Sequence, residues 1–260
     1  MFDRLVVHAH VPKSGSGLLN RNVFLRSFTR GETMLVYGHD HGQLARLAGI
    51  NCAQVAASIS RTRLAIGHVP YGYFDGFGRW TIYVSVFDDP VRRFLGFVGS
   101  VIANRNATAE ALFGPEAAAA SAPDLDHMID ELLTLEDVQL RQTDVMTRIA
   151  AGLPVFQAEK PQAGHLDAAC ANIGRSNYLV ATRDQIPTFE SYLIEVLGVP
   201  VGGRGTGGWD NVMPVCSKPR SAEILRADIG GRTLRRIEAA NALDMRLYDA
   251  VIRQNAVCWA

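Results

Sequence analysis

Residues 5–18 read Leu-Val-Val-His-Ala-His-Val-Pro-Lys-Ser-Gly-Ser-Gly-Leu, and this stretch decides the fold. Residues 5–11 are apolar and β-branched, as a buried strand requires, and the run stops at Pro12, which has no N–H for a ladder. Lys13, Ser14, Gly15, Ser16 and Gly17 make a tight turn. Residues 18–29 follow with Leu18, Leu19, Val23, Leu25 and Phe28 on one face at helical spacing. Strand, glycine turn and helix together open a parallel α/β layer. In such a layer ligands bind beyond the carboxyl ends of the strands, where a glycine turn entering a helix aims backbone N–H groups at an anion. Lys13 adds a full charge beside the helix dipole. The order is not GxxxxGK[ST], because the lysine stands first in the turn rather than last. On these residues alone, a solvated Gly/Ser turn is the other reading.

The same alternation continues outward. Residues 34–37, 64–69, 81–87 and 178–182 read as strands. Residues 91–102, 125–133, 137–150, 187–197 and 232–254 read as helices, and residues 43–58 as helical in part. Asp88-Asp89-Pro90 ends the strongest strand and starts a helix, where proline costs nothing. Residues 104–122 carry no pattern, and residues 201–210 form a glycine-rich loop. The expected fold is α/β with a central, mostly parallel sheet flanked by helices, as a single domain over residues 1–260.

Composition narrows the function. Of 260 residues, 48% are hydrophobic, enough for a large core, and 26 Lys plus Arg balance 26 Asp plus Glu. With no net field to hold phosphates, a general nucleic-acid binder is not expected. The lysines are Lys13, Lys160 and Lys218, so one in the glycine turn stands out. Cys52, Cys170, Cys216 and Cys258 show no CxxC spacing and read as buried thiols. No apolar run reaches the roughly 20 residues of a membrane span, and no signal peptide is read at the N-terminus. A cytoplasmic protein is expected.

Histidine, proline, lysine, serine, glycine in the order His10-Val11-Pro12-Lys13-Ser14-Gly15-Ser16-Gly17 resembles the 5′-phosphosulfate loop of the sulfotransferases, whose members read close to HIPKTGGTS. Five further segments match in order. Gly67-His68, followed by the aromatics Tyr71, Tyr73 and Phe74, is similar to a motif of the carbohydrate branch, which includes the heparan sulfate 2-O-sulfotransferases. Residues 88–96 are similar to RDPVERFLS, residues 146–152 to QTRxLxG, residues 178–182 to the late FxxVG strand, and residues 241–248 to NxxDxxLY.

The resemblance implies a P-loop-like three-layer fold. It also implies a soluble bacterial enzyme moving a sulfuryl group from 3′-phosphoadenosine 5′-phosphosulfate to a hydroxyl of a carbohydrate or other small acceptor, without a metal. It casts His68 as base and Lys13 as the charge on the leaving group. The donor would be held by Lys13 and by the N–H groups of Ser14, Gly15, Ser16, Gly17 and Leu18. His10, Tyr71 and Arg148 would line the acceptor side, with Tyr73, Phe74, Trp80 and the glycine loop at 202–208 as further candidates, while core packing is the other and better reading for any one of these aromatics.

The pattern breaks at Asp88, Gly96 and Gly17. The family has arginine at the first, serine at the second and usually Ser or Thr at the third. A carboxylate at Asp88 is expected to repel the donor's 3′-phosphate, with Arg92 or Arg93 turning in to replace the missing arginine. Two other readings remain open. One is a sulfotransferase-fold binding protein that has lost catalysis. The other is a metal-dependent hydrolase built on His8 and His10, whose imidazoles share a strand face, with His39 and His41 as another pair.

Overall fold

The computed structural model describes residues 4–36, 60–103, 124–153, 159–198 and 223–258. Its strands are β1 (Arg4–Ala9), β2 (Thr33–Val36), β3 (Leu64–Gly67), β4 (Trp80–Phe87) and β5 (Tyr178–Thr182). They form one sheet in the order β2-β3-β1-β4-β5, and every pairing is parallel. β1 therefore lies at the centre, with His8 opposite Ile66 on one side and Val84 on the other. Both faces are buried, which is why these strands read as nearly unbroken apolar runs instead of alternating ones.

One face presents Val6, Ile66, Val84 and Val86 to the helical run α1 (residues 17–27) and to α7 (Ile186–Leu197), through Leu19, Phe24, Phe189 and Leu193. The other presents Leu5, Val7, Ala65 and Tyr83 to α5 (Val145–Ala150), α6 (Ala163–Ile173) and α9 (Ala242–Cys258). Helix, sheet and helix make the three layers. A satellite cluster joins α2 (Pro90–Ala103) to α3 (Leu125–Leu132), α4 (Glu136–Gln142) and α8 (Gly231–Ala240), through Phe94, Val98, Leu132, Val138 and Ile237. Cys170 lies at the edge of the second face, half-buried.

Three expected helices differ in detail. The first, α1, ends at Ser27 and is α-helical only at Gly17–Leu19 and Leu25–Ser27, with a π turn at Asn20–Phe24 between them. The run expected over residues 137–150 breaks at Asp144, which takes the left-handed conformation at φ 47°. The run expected over 232–254 breaks at Asn241. Helix α6 was not anticipated. The helical stretch at 43–58, the unpatterned stretch at 104–122, the glycine loop at 201–210, the His39/His41 pair, Cys52 and Cys216 lie outside the described residues, as does the side chain of Cys258.

The two breaks share a cause. The Asp144 carboxylate accepts from the N–H groups of Leu243 and Asp244, both at 3.0 Å, at the start of α9. The Asp244 carboxylate accepts from Met146 at 3.1 Å and Thr147 at 2.7 Å, at the start of α5. Each carboxylate thus satisfies the other helix's orphan donors. Asn241 braces the pair by accepting from Arg93 Nη2 at 3.2 Å and the Asp144 N–H at 3.3 Å.

Burial, and then the charge of Asp244, pushes the Asp144 carboxyl up to about 7. Burial also raises Asp244, against the pull of Arg93. A carboxyl raised in the folded state contributes stability below its ordinary value and loses it as pH rises through the folded one. Asp144→Asn should therefore gain on the parent protein as pH rises from about 4, with the gap widening up to about pH 7 and levelling off above it. Paired thermal melts read it, and the difference cancels the opposing effect of the buried histidines.

Candidate functional site

The turn after β1 sits at the carboxyl end of the central strand. Lys13 at φ 66° and Gly15 at φ 81° both adopt left-handed backbone, which folds the chain back on Val11. The hydroxyls of Ser14 and Ser16 donate to the Val11 carbonyl at 2.9 and 3.2 Å. Both serine side chains are therefore structural. Of the five N–H groups expected to face an anion, that of Ser14 is directed to Val11 O at 3.4 Å and that of Leu18 to Gly15 O at 2.9 Å. These two are corrections to the expected anion cradle, since closing the turn consumes them. The N–H groups of Gly15, Ser16 and Gly17 make no hydrogen bond among the described residues.

Three histidines flank the turn. His8 is fully buried, with Nδ1 2.5 Å from Asn20 Oδ1. The π turn in α1 brings Asn20 there, a device often found at functional sites. Ring centroids of His8 and His10 are 5.8 Å apart and those of His10 and His68 5.4 Å apart, the latter pair stacked within 12°. Burial lowers His8 to about 4, and lowers His10 well below the imidazole range with help from the charges of His68, His8 and Lys13. His8 and His10 are thus held neutral. His68 lies just past β3, half-buried, its backbone N–H donating to Val36 O at 3.0 Å. Among the described residues no group of three or more His, Cys, Asp or Glu side chains is arranged to hold a metal ion.

The structure moves several expected residues away from this site. Tyr71 is 6% exposed, its hydroxyl donates to Asn177 Oδ1 at 2.9 Å, and its ring stacks on Tyr178 at 4.7 Å. It packs the core, as does Phe74. Trp80 pairs with Arg4, at the end of the sheet away from the turn. Arg148 is fully buried and donates to Leu140 O at 2.9 Å, in the field of Asp144 and Asp244. Arg93 is fully buried as well, held by Gln142 O and Asn241. An arginine fixed between helices in this way cannot turn toward a phosphate.

Asp88 is the largest correction. Its carboxylate is fully buried and accepts from Arg92 Nε at 2.6 Å, Arg183 Nη1 at 3.1 Å and the Asp89 N–H at 2.8 Å. The charge expected to repel an anion is spent on two guanidinium groups. Burial raises this carboxyl, and the two arginines pull it back. Arg92 reaches on to Asp184 at 3.3 Å, so it too is paired. Gly96 faces the turn, where a Cβ would lie 3.5 Å from Lys13 Cβ.

Beside this cluster an open cleft of ≈ 410 Å³ is lined by Arg92, Asp184, Leu225, Arg226 and Tyr248. Sequence reading passed over Asn20, Arg183 and Arg226. For Arg183 the signal was present, since it directly follows a parallel strand at its carboxyl end.

The chain matches no protein-family model and no curated protein. Among solved structures it is similar to mouse sulfotransferase SULT7A1 complexed with PAP, at 12% identity and a TM-score of 0.39, over 90% of this chain and 78% of that one. Among the described residues no helix is long and apolar enough to cross a membrane.

Proposed function

We propose that this chain is a sulfotransferase that moves a sulfuryl group from 3′-phosphoadenosine 5′-phosphosulfate to a hydroxyl of a small molecule or glycan. The observation that carries the reading is the turn at residues 13–17. It lies at the carboxyl end of the central strand, with three open N–H groups and a lysine held in left-handed backbone. Such a turn fits a phosphosulfate: the N–H groups of Gly15, Ser16 and Gly17 would hold the phosphate, and Lys13 would meet the charge that grows on the bridging oxygen. The six ordered sequence segments point the same way.

In this reading His68 accepts the proton of the acceptor hydroxyl. The new oxygen–sulfur bond forms as the sulfur–oxygen bond to the nucleotide breaks, and adenosine 3′,5′-bisphosphate departs. His10 stacks against the His68 ring and orients it, and the burial that lowers its basicity keeps it from competing for the proton. No part of this step calls on a metal.

Calorimetry tests the donor. The protein should bind adenosine 3′,5′-bisphosphate more tightly than adenosine 5′-phosphate, and equal affinities would sink the assigned donor. His68→Ala should bind the bisphosphate like the parent protein while transfer falls by about 10²–10⁴, the usual worth of a positioned base. Retained transfer would remove His68 from the role.

A further inference from the structure

We propose that Arg183, held in place by the buried carboxylate of Asp88, is a direct ligand for the anion bound at the turn of residues 13–17. Phe87 and Thr182 are register partners at the ends of β4 and β5, so the next residues, Asp88 and Arg183, leave the sheet side by side. The guanidinium donates through Nη1 to Asp88 Oδ2 at 3.1 Å. Its stem crosses the turn: a Cβ built on Gly15 would meet Arg183 Cγ at 3.2 Å and both Cδ and Nε at 3.3 Å.

Nε and Nη2 make no hydrogen bond among the described residues, and the side chain is 44% exposed. An arginine with one nitrogen pinned and two that make no hydrogen bond among the described residues is pre-organised for the planar, paired contacts that phosphate oxygens favour. Pinning also lowers the side-chain entropy lost when an anion arrives.

The arrangement gives Asp88 a positive task. A sheet of this kind can deliver a guanidinium to the anion from the end of one strand or from its neighbour. Here the cation comes from β5 and the end of β4 supplies the carboxylate that orients it. Glycine at position 15 is then favoured twice, once for its φ of 81° and once because a Cβ there would crowd the Arg183 stem and shift it by a few tenths of an ångström. Asp88 is a positioning residue and Arg183 the ligand.

The inference rests on reading the turn as the donor's anion site, and its test uses two probes so that the two ideas can fail separately. The parent protein, Arg183→Gln, Asp88→Asn and the double variant are titrated with inorganic pyrophosphate and with adenosine 3′,5′-bisphosphate, with thermal melts confirming that each is folded. Loss of a charged hydrogen bond should weaken both probes by about tenfold to a hundredfold in Arg183→Gln.

Asp88→Asn removes a negative charge and on charge alone would tighten binding; positioning requires that it weaken binding, and that the double variant be no worse than Arg183→Gln. Unchanged affinity in Arg183→Gln, or tighter binding in Asp88→Asn, overturns the proposal. Pyrophosphate binding that depends on Arg183, with no gain from the nucleotide, upholds the proposal and defeats the assigned donor. Binding of neither probe to the parent protein overturns both.

Discussion

Lys13→Gly is expected to leave the fold at least as stable as before while sharply lowering the proposed sulfuryl transfer. Lys13 occupies left-handed backbone at φ 66°, which costs an L-residue with a Cβ roughly 1–2 kcal/mol. Glycine removes that strain but adds unfolded-chain entropy worth roughly 0.5–1 kcal/mol. The net gain is up to about 1.5 kcal/mol, read by denaturant titration. Loss of the ammonium group should lower transfer by about 10²–10³, the cost of removing one preorganised partner of the developing charge. An activity near that of the parent protein would exclude Lys13 from the chemistry. A residue kept in a strained conformation that a smaller one would relieve is most simply explained by what its side chain does.

Gly67→Ala is expected to have the largest effect on the fold itself. A Cβ at this position would lie 1.7 Å from the carbonyl oxygen of Val36 and 2.4 Å from its carbon, distances at which backbone must separate. Among the described residues β2 is an edge strand held to the sheet by β3 alone. The added methyl would push it away and break the bond from the His68 N–H to Val36 O. A loss of at least about 3 kcal/mol should follow, in the upper tail for single substitutions. Chemical denaturation measures it, and a midpoint unchanged from the parent protein would show that the edge strand can yield. In the Gly-His pair, then, the glycine serves strand pairing.

The core of the architecture was readable because parallel strands buried on both faces announce themselves as β-branched runs. β4 is one such run, buried from Thr81 to Phe87. The helix breaks were not readable. Asp144 and Asn241 interrupt apolar spacing that is otherwise continuous, and their partners lie about a hundred residues away. Helix α6 could have been found from Leu166, Ala169, Cys170 and Ile173, whose spacing is helical, although its many small residues blur the pattern.

At the site, the turn and its lysine were legible from local order. Asp88 was misjudged for a physical reason. A sequence displays a charge but not its counter-charge, and Arg183 lies 95 residues further on. Tyr71 and Arg148 were ambiguous for a related reason, because aromatic and cationic side chains suit both a ligand and a core, and both are buried.

The exchanged carboxylates of Asp144 and Asp244 also bear on how the chain is made. Residues 97 to 100 positions apart complete one another's helix ends. During synthesis, α5 lacks the Asp244 carboxylate until the segment near 244 has left the ribosome, and the second face of the sheet lacks the cover of α9 until then. The centre of the molecule should therefore become protected from proteolysis late and all at once, when the C-terminal helix docks.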